Sequence, residues 1–447
     1  MWIRSTIEFV TARQRMFLLL ACFAIFLAGV ARYWVSYDPR ISVPQVKEAY
    51  REPYLLAHNL NENGAFANPF RSLPTGSSAH VSPVFPAYMA ALMRVFGEKS
   101  LGAYAIQWAA ALVLALQLAL YPVFSKILGM GQLNGFIGAA IWIAAKPPLI
   151  SGWEALYVAL LLAAGCCYYR RYLDALEPAR HKIAWLLGAL MGFLIFISQA
   201  AAPVYASWLA WDLWRNKIAL FTKSFLPLVL LPAAIIAPWT IRNLRVFHSF
   251  VLVRDNFGLE LSTSNNDCAQ YGFDTNVQSG CFKQRDPYWS AAEARKVIAL
   301  GEVGYNKTQL HTALNWIAGH PSRFIKLTAE RFVAYWMPME TFTLPRTGGG
   351  RTERATIYLM TLLSVPGLIM LFRRDLKSAA TLASCLVLFP LIYYIVQFVP
   401  RYRYPILWIT FLLGAMPITA CVRKLWKWLS AQLWIGNEML RPSPEHQ

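Results

Sequence analysis

The chain has 447 residues, 57% of them hydrophobic, with 17 Trp, 21 Tyr and 26 Phe, which is more apolar material than a soluble core of that length consumes. This excludes an ordinary soluble protein and predicts an all-α multi-pass membrane protein. The net charge of +19 would signal nucleic acid in a soluble domain, but Lys and Arg gather at the ends of apolar runs, where anionic headgroups and the topology rule place them, so no nucleic-acid partner is expected.

In chain order, Arg4, Arg13 and Arg15 precede an apolar run from Met16 to Trp34 that lacks a small-residue cleavage site, so residues 1–36 read as an uncleaved first span. Residues 37–100 form a first polar segment, ending in PVFPAYMAALMRVFG, too short to cross and therefore expected to lie as an interfacial helix. A bundle over 101–238 follows, with spans predicted at 103–124, 132–148, 151–169, 183–198, 200–214 and 218–238. Residues 239–354 are polar again, with helical spacing in AAEARKVIALGEVGY, TQLHTALNWIAGHPSRF and IKLTAERFVAYW. Spans at 355–372, 379–398 and 404–422 and a basic tail, 423–447, complete the chain. The total is about ten spans of the roughly 20 residues that hydrocarbon requires, several of them short.

Basic residues fix the expected orientation. Lys126, Arg170, Arg171, Arg180, Lys182, Arg373, Arg374 and Lys377 cluster in one set of connections, while the opposite short turns hold Lys146, Arg401 and Arg403. The positive-inside rule then puts both polar segments on the extracytoplasmic face. Cys268 and Cys281 lie in the second segment; facing an oxidising compartment they are expected to pair, and no CxxC or His pair offers a metal site there. The other cysteines sit in or beside apolar runs and read as small hydrophobes.

Four segments carry a family resemblance: YREPYLLAHNLNENGAFANPF and its continuation through HVSP in the first polar segment, GWEALYVALLL at 152–162, APWTIRNLRVFHSFVLVRDNFGLEL at 237–261, and RYRYPI at 401–406. Together they resemble the GT-C membrane glycosyltransferases, in particular the bacterial relatives of protein mannosyltransferases and aminoarabinose transferases (glycosyltransferase family 39-like). The resemblance implies a GT-C-like helical bundle that takes a sugar from a polyprenyl-phosphate donor and passes it, with inversion, to an extracytoplasmic hydroxyl of a lipid, glycan or protein, in the bacterial inner membrane. No cofactor is implied. In such proteins an acid precedes an A-x-x-L-x-x-x-G-x-F run; here Glu52 stands five residues before Ala57. Many relatives carry Asp-Glu in this loop, whereas this chain has Ala49 and Tyr50 near that position and acids at Glu48 and Glu52, leaving open which is the base.

The chemistry explains these residue types. A lipid-phosphate donor leaves as a phosphate monoester, so a carboxylate must take the acceptor proton and cations must meet the growing negative charge. Glu52, with Glu48 in reserve, is the candidate base; four apart on a helix they share a face, although both could equally be solvated acids paired with Lys47 and Arg51. Arg242, Arg254, Arg401 and Arg403 are candidates for the phosphate, against headgroup snorkelling for Arg242 and a pair with Asp255 for Arg254. Glu154 could bind sugar hydroxyls or pair with Lys146, and His80 could touch phosphate or acceptor. Asn256 and Glu260 read as turn formers. The remaining His residues show no ligand spacing, so no catalytic metal is expected. The alternatives to an enzyme are a transporter or flippase, or a non-catalytic assembly subunit, for lipid-linked saccharides.

Overall fold

The computed structural model describes residues 16–32, 51–145, 153–216, 223–337 and 350–439. The described residues contain helices and no strands, apart from isolated bridges that pair Ala67 with Ser77 and Gly272 with Phe398. Each predicted span coincides with a helix. These are α1 (Met16–Arg32) and then, after α2 (Arg51–Asn63) and α3 (Val84–Phe96) of the first polar segment, α4 (Ser100–Ile127), α5 (Gln132–Ala145), α6 (Ala155–Asp174) and α7 (Ala179–Ile197). They continue with α8 (Ala202–Asn216) and α9 (Leu226–Phe247). The second polar segment supplies α10 (Phe257–Ser264), α11 (Phe273–Gln278), α12 (Cys281–Arg285), α13 (Ala291–Leu300), α14 (Glu302–Gly319) and α15 (Pro321–Trp336). The last spans are α16 (Gly350–Phe372), α17 (Leu376–Leu388) with the short α18 (Leu391–Ile395), and α19 (Tyr404–Met439).

Among the described residues, 6 helices are long and apolar enough to cross a membrane: α4, α7, α9, α16, α17 continued through α18, and α19 with the turn before it. The other predicted spans, α1, α5, α6 and α8, are shorter or less apolar. Helix α6 packs against α4, α7, α17 and α19, so it faces protein more than lipid and can end in Arg170, Arg171 and Asp174. Two boundaries differ from expectation. Helix α9 runs on past Pro238 to Phe247, as membrane helices tolerate an internal proline. Helix α19 continues past 422 into the basic tail.

Small residues set the closest crossings, as expected where lipid gives no hydrophobic drive between helices. Gly188 of α7 faces the Pro227 carbonyl of α9, and Gly367 of α16 faces the Leu413 carbonyl of α19; a Cβ at either would run into that backbone. Fully buried Asn134 ties three helices, donating to the Leu412 carbonyl at 2.9 Å and accepting from Thr419 at 3.1 Å on α19, with Ser125 of α4 at 3.2 Å.

The two polar segments pack on one another. Phe70 of the first joins Leu259, Tyr288, Val297 and Tyr305 of the second in one apolar cluster, and the Ser72 hydroxyl donates to the Pro287 carbonyl at 2.5 Å. Within this cap α10 lies on α14, where Gly258 meets the Asn306 backbone. A Cys268–Cys281 disulfide closes the segment ahead of α12, the pairing expected of a segment that faces an oxidising compartment.

Candidate functional site

Three pieces of chain converge below the cap. The first is α2, whose initial turn carries Glu52 at the positive end of the helix dipole while Tyr54, Leu56 and Ala57 bury its other face. The second is the loop 64–83. Asn68, at φ 58, exchanges hydrogen bonds with Gly76 through its backbone and side chain, both 2.8 Å, and the Ser78 N–H reaches the Phe66 carbonyl at 3.1 Å. Folded this way, the loop delivers His80 to the interior with 4% of its surface exposed and its ring edge-on to Phe70 at 5.0 Å.

The third piece is the turn at 395–403. Arg331 of α15, fully buried, donates to the Ile395 carbonyl and to Asn265 Oδ1, each at 3.0 Å, and to the Ser264 carbonyl. Burial pushes its guanidinium down to about 9. The Gln397 N–H reaches Ser264 Oγ at 2.8 Å, its side chain accepts from Asn276 at 3.0 Å, and Phe398 trades backbone hydrogen bonds with Tyr271 and Phe273. This strapping fixes Arg401, whose guanidinium lies 3.5 Å from the Trp153 ring centroid.

These pieces enclose a cavity of about 1330 Å³ at one end of the bundle. Glu52, His80, Glu154, Arg254 and Arg401 line it together. Glu260, Asn256 and Arg354, which were not expected there, line it too. Glu260 faces the cavity yet is surrounded by protein; desolvation raises its carboxyl, and Glu52 adds to that, while Arg254 and Arg401 oppose it. It accepts from Asn256 Nδ2 at 3.3 Å, so the i, i+4 spacing in NFGLE that reads as a turn also aims a carboxylate inward. Burial, with Arg254 nearby, lowers His80 to about 3, so its ring is neutral, and its Nδ1 is buried without a hydrogen-bond partner among the described residues. His80 can therefore contact a hydroxyl or accept a hydrogen bond, but does not bring charge to a phosphate. The far wall comes from the disulfide-closed segment, with Phe273, Asp274, Gln278 and Phe282.

Arg242 and Arg403, expected at the phosphate, are turned elsewhere. Arg242 donates to the carbonyls of Ser78 at 2.8 Å and Phe66 at 3.2 Å and lies over Trp239, so it anchors the His80 loop to α9. Arg403 is fully buried and donates to the Trp336 carbonyl at 2.5 Å and to Thr361, joining α15, α16 and α19. Glu48 and Lys146 lie outside the described residues. One trio among the described residues has ligand atoms close enough to hold a metal ion, namely His58, Glu62 and Glu98, within 4.8 Å of one another; it does not line the cavity, and His58 already meets Glu98 at 2.9 Å.

No family model and no curated protein matches the chain. Solved structures do. The apo oligosaccharyltransferase of Archaeoglobus fulgidus matches with a TM-score of 0.56 at 13% identity, over 94% of this chain and 52% of its own. The archaeal oligosaccharyltransferase AglB from Archaeoglobus fulgidus, in complex with an inhibitory peptide and a dolichol-phosphate, matches with a TM-score of 0.54 at 14% identity, over 96% and 53%. The chain has the GT-C fold. ArnT from Cupriavidus metallidurans bound to undecaprenyl phosphate gives a TM-score of 0.34 at 14% identity over 89% and 77%, too loose a likeness to add to the first two. The chain spans about half the length of the oligosaccharyltransferase chains, and at such identities the likeness carries the GT-C fold and not the reaction.

Proposed function

We propose that this GT-C protein is a glycosyltransferase that moves a sugar from a polyprenyl-phosphate donor to an acceptor hydroxyl. The observation that carries the reading is the cavity itself: a carboxylate, Glu52, shares one large space with two cations, Arg254 and Arg401, that make no ion pair within 4 Å among the described residues. The archaeal structure with a dolichol-phosphate supports a lipid-phosphate donor for this fold.

In this reading the donor lipid lies between spans with its phosphate against Arg401 and Arg254. Glu52 takes the proton of the acceptor hydroxyl as that oxygen forms its bond to the anomeric carbon. The bond from that carbon to the phosphate oxygen breaks on the opposite face, the electron pair leaves with the phosphate, and the configuration inverts. The two guanidiniums meet the charge that develops there. Glu154 and His80 hold hydroxyls of the donor sugar or the acceptor, and the wall with Asp274 and Gln278 receives the acceptor, whether glycan, lipid or protein. The basic residues at the opposite end of the bundle support a cavity facing away from the cytoplasm of a bacterial inner membrane.

Transfer from a panel of radiolabelled polyprenyl-phosphate sugars to membrane acceptors, compared between wild type and Glu52→Gln, tests the reading. Label in product with wild type, and about 10² to 10⁴ less with the variant at unchanged donor binding, is expected of a general base. Equal transfer by both removes Glu52 from the role; donor carried across vesicles without transfer by either supports a carrier instead.

A further inference from the structure

Beside the cavity lie two buried acids that the transfer chemistry does not use. Asp255 follows Arg254, and Glu302 opens α14. Both Asp255 carboxyl oxygens and Glu302 Oε2 are shut off from solvent, and the two carboxyls face each other, with the Asp255 backbone N–H beside the one and the Ser78 side chain beside the other. The remaining oxygen, Glu302 Oε1, accepts the Ala79 N–H at 2.5 Å, and the Asp255 N–H donates to the Ala79 carbonyl at 3.2 Å. The peptide unit on each side of Ala79 is thus gripped by this pair of residues, one residue before His80 enters the cavity wall.

Two carboxylates packed side by side away from water repel, and neither can be hydrated. The charged and titratable groups around them are few. Arg242 faces Glu302 from α9, but its guanidinium is spent on the Ser78 and Phe66 carbonyls; His80 is neutral; and Arg254 lines the cavity. We propose that Asp255 and Glu302 are positioning residues that hold one proton between them, and that this proton keeps the Ala79 grip closed and His80 in the cavity wall. The proposal rests on the transferase reading only for its effect on turnover.

Burial pushes Asp255 up to about 6, and burial together with Asp255 pushes Glu302 well above the ordinary range. Both folded values exceed those of an unfolded chain, about 4. The grip is therefore complete below about pH 4 and weakens as pH rises through the folded values, because only the folded form retains the proton there.

The test is hydrogen exchange of the 77–81 segment in lipid nanodiscs from about pH 5 to pH 9, corrected for intrinsic exchange, with transfer measured in parallel. Wild-type protection should fall about tenfold per pH unit once the shared proton is lost. Glu302→Gln keeps an acceptor for the Ala79 N–H and removes one charge, so it should hold protection, and turnover, further into the alkaline range; Glu302→Ala should lose protection at every pH. Asp255→Asn, which leaves a lone Glu302 carboxylate on Ala79, should also flatten the profile and serves if the Gln variant does not fold. Flat wild-type protection, or a Gln variant indistinguishable from Ala, overturns the proposal. Expected exchange behaviour with no transfer from any donor supports the pair and counts against the transferase reading.

Discussion

The two ends of the bundle treat charge differently. At the end away from the cavity, Arg170 reaches Asp375 at 3.1 Å and also meets Asp174, Lys377 reaches Asp174 at 2.8 Å, and Arg180 reaches Asp212 at 3.0 Å while Tyr172 donates to the same carboxylate at 2.8 Å. At the cavity end, Arg254 and Arg401 have no carboxylate within ion-pair distance among the described residues, and Glu260 accepts from an amide. Charges near a low-dielectric bundle are costly when unpaired, so those already paired serve the fold, whereas those facing open space are available to a ligand. Substitutions of cavity-facing charges and of charges already paired or hydrogen-bonded should therefore separate into losses of catalysis and losses of stability.

The largest effect belongs to Glu52→Gln, the loss of turnover of about 10² to 10⁴ given above. Next comes Arg331→Met. It leaves the Ser264 carbonyl and Asn265 Oδ1 without the arginine donor, while the Ile395 carbonyl keeps Asn265 Nδ2 at 2.9 Å, and each buried acceptor left unsatisfied costs about 1 to 3 kcal/mol. A loss of about 3 kcal/mol is expected in thermal unfolding of the detergent-solubilised protein, with transfer falling as well because the turn that holds Arg401 loosens. An Arg331→Met protein as stable as wild type would show that the strap is held elsewhere.

Arg401→Ala sharpens the contrast. A charge-assisted hydrogen bond to phosphate contributes about 1.5 to 3 kcal/mol, so the donor KM or the transition state should suffer roughly tenfold to a hundredfold while unfolding shifts little. Arg403→Ala, two residues on, should do the reverse, because its guanidinium serves the Trp336 carbonyl and Thr361 rather than the cavity. Steady-state kinetics over a range of donor concentrations, set beside melting curves for both variants, reads the difference directly.

How far these roles were legible in the sequence follows from the distance over which each is determined. The spans were legible because hydrocarbon thickness imposes a local rule on apolar length. That Glu52 and Arg401 line the cavity was legible from a resemblance for the first, an acid ahead of an A-x-x-L-x-x-x-G-x-F run, and from a broken local pattern for the second, a cation on the side short of them. Arg331 was not: in IKLTAERFVAYW it looks like the solvated face of a helix, and it is buried by a turn some sixty residues later in the chain. Nor could neighbours tell Arg401 from Arg403, since a tight turn points the two guanidiniums to opposite sides and the packing of α15 decides which one is enclosed. Asp255 and Glu302 read as a loop acid and the first-turn acid of a helix, and the pairing that buries them joins residues 47 positions apart with the Ala79 backbone. Glu260 was passed over because Asn and Glu four apart near a glycine form turns as readily as they line a cavity.

The smallest effect, and the control for all the others, is Arg170→Ala at the far end. Arg170 is only 16% exposed and its partner Asp375 17%, so the pair is partly buried. Asp375 also caps α17, accepting from the Ser378 N–H at 3.2 Å and its hydroxyl at 2.8 Å, and together with Arg170 these bonds hold the Asp375 carboxyl below the usual range, offsetting its burial. Removing the arginine leaves the cap in place and Asp375 still hydrogen-bonded, so the cost should be about 1 kcal/mol and not the larger penalty of a stranded buried charge. Donor KM and turnover should stay at wild-type values. With Asp375 lowered in the folded state, the stability it contributes is present above about pH 4 and lost as pH falls through the folded value; Arg170→Ala should weaken that acid-side dependence and leave the alkaline side untouched. A change in transfer from this substitution would mean that the two ends are mechanically coupled through α6 and α17, and that the division of charge between fold and function is not as clean as the geometry draws it.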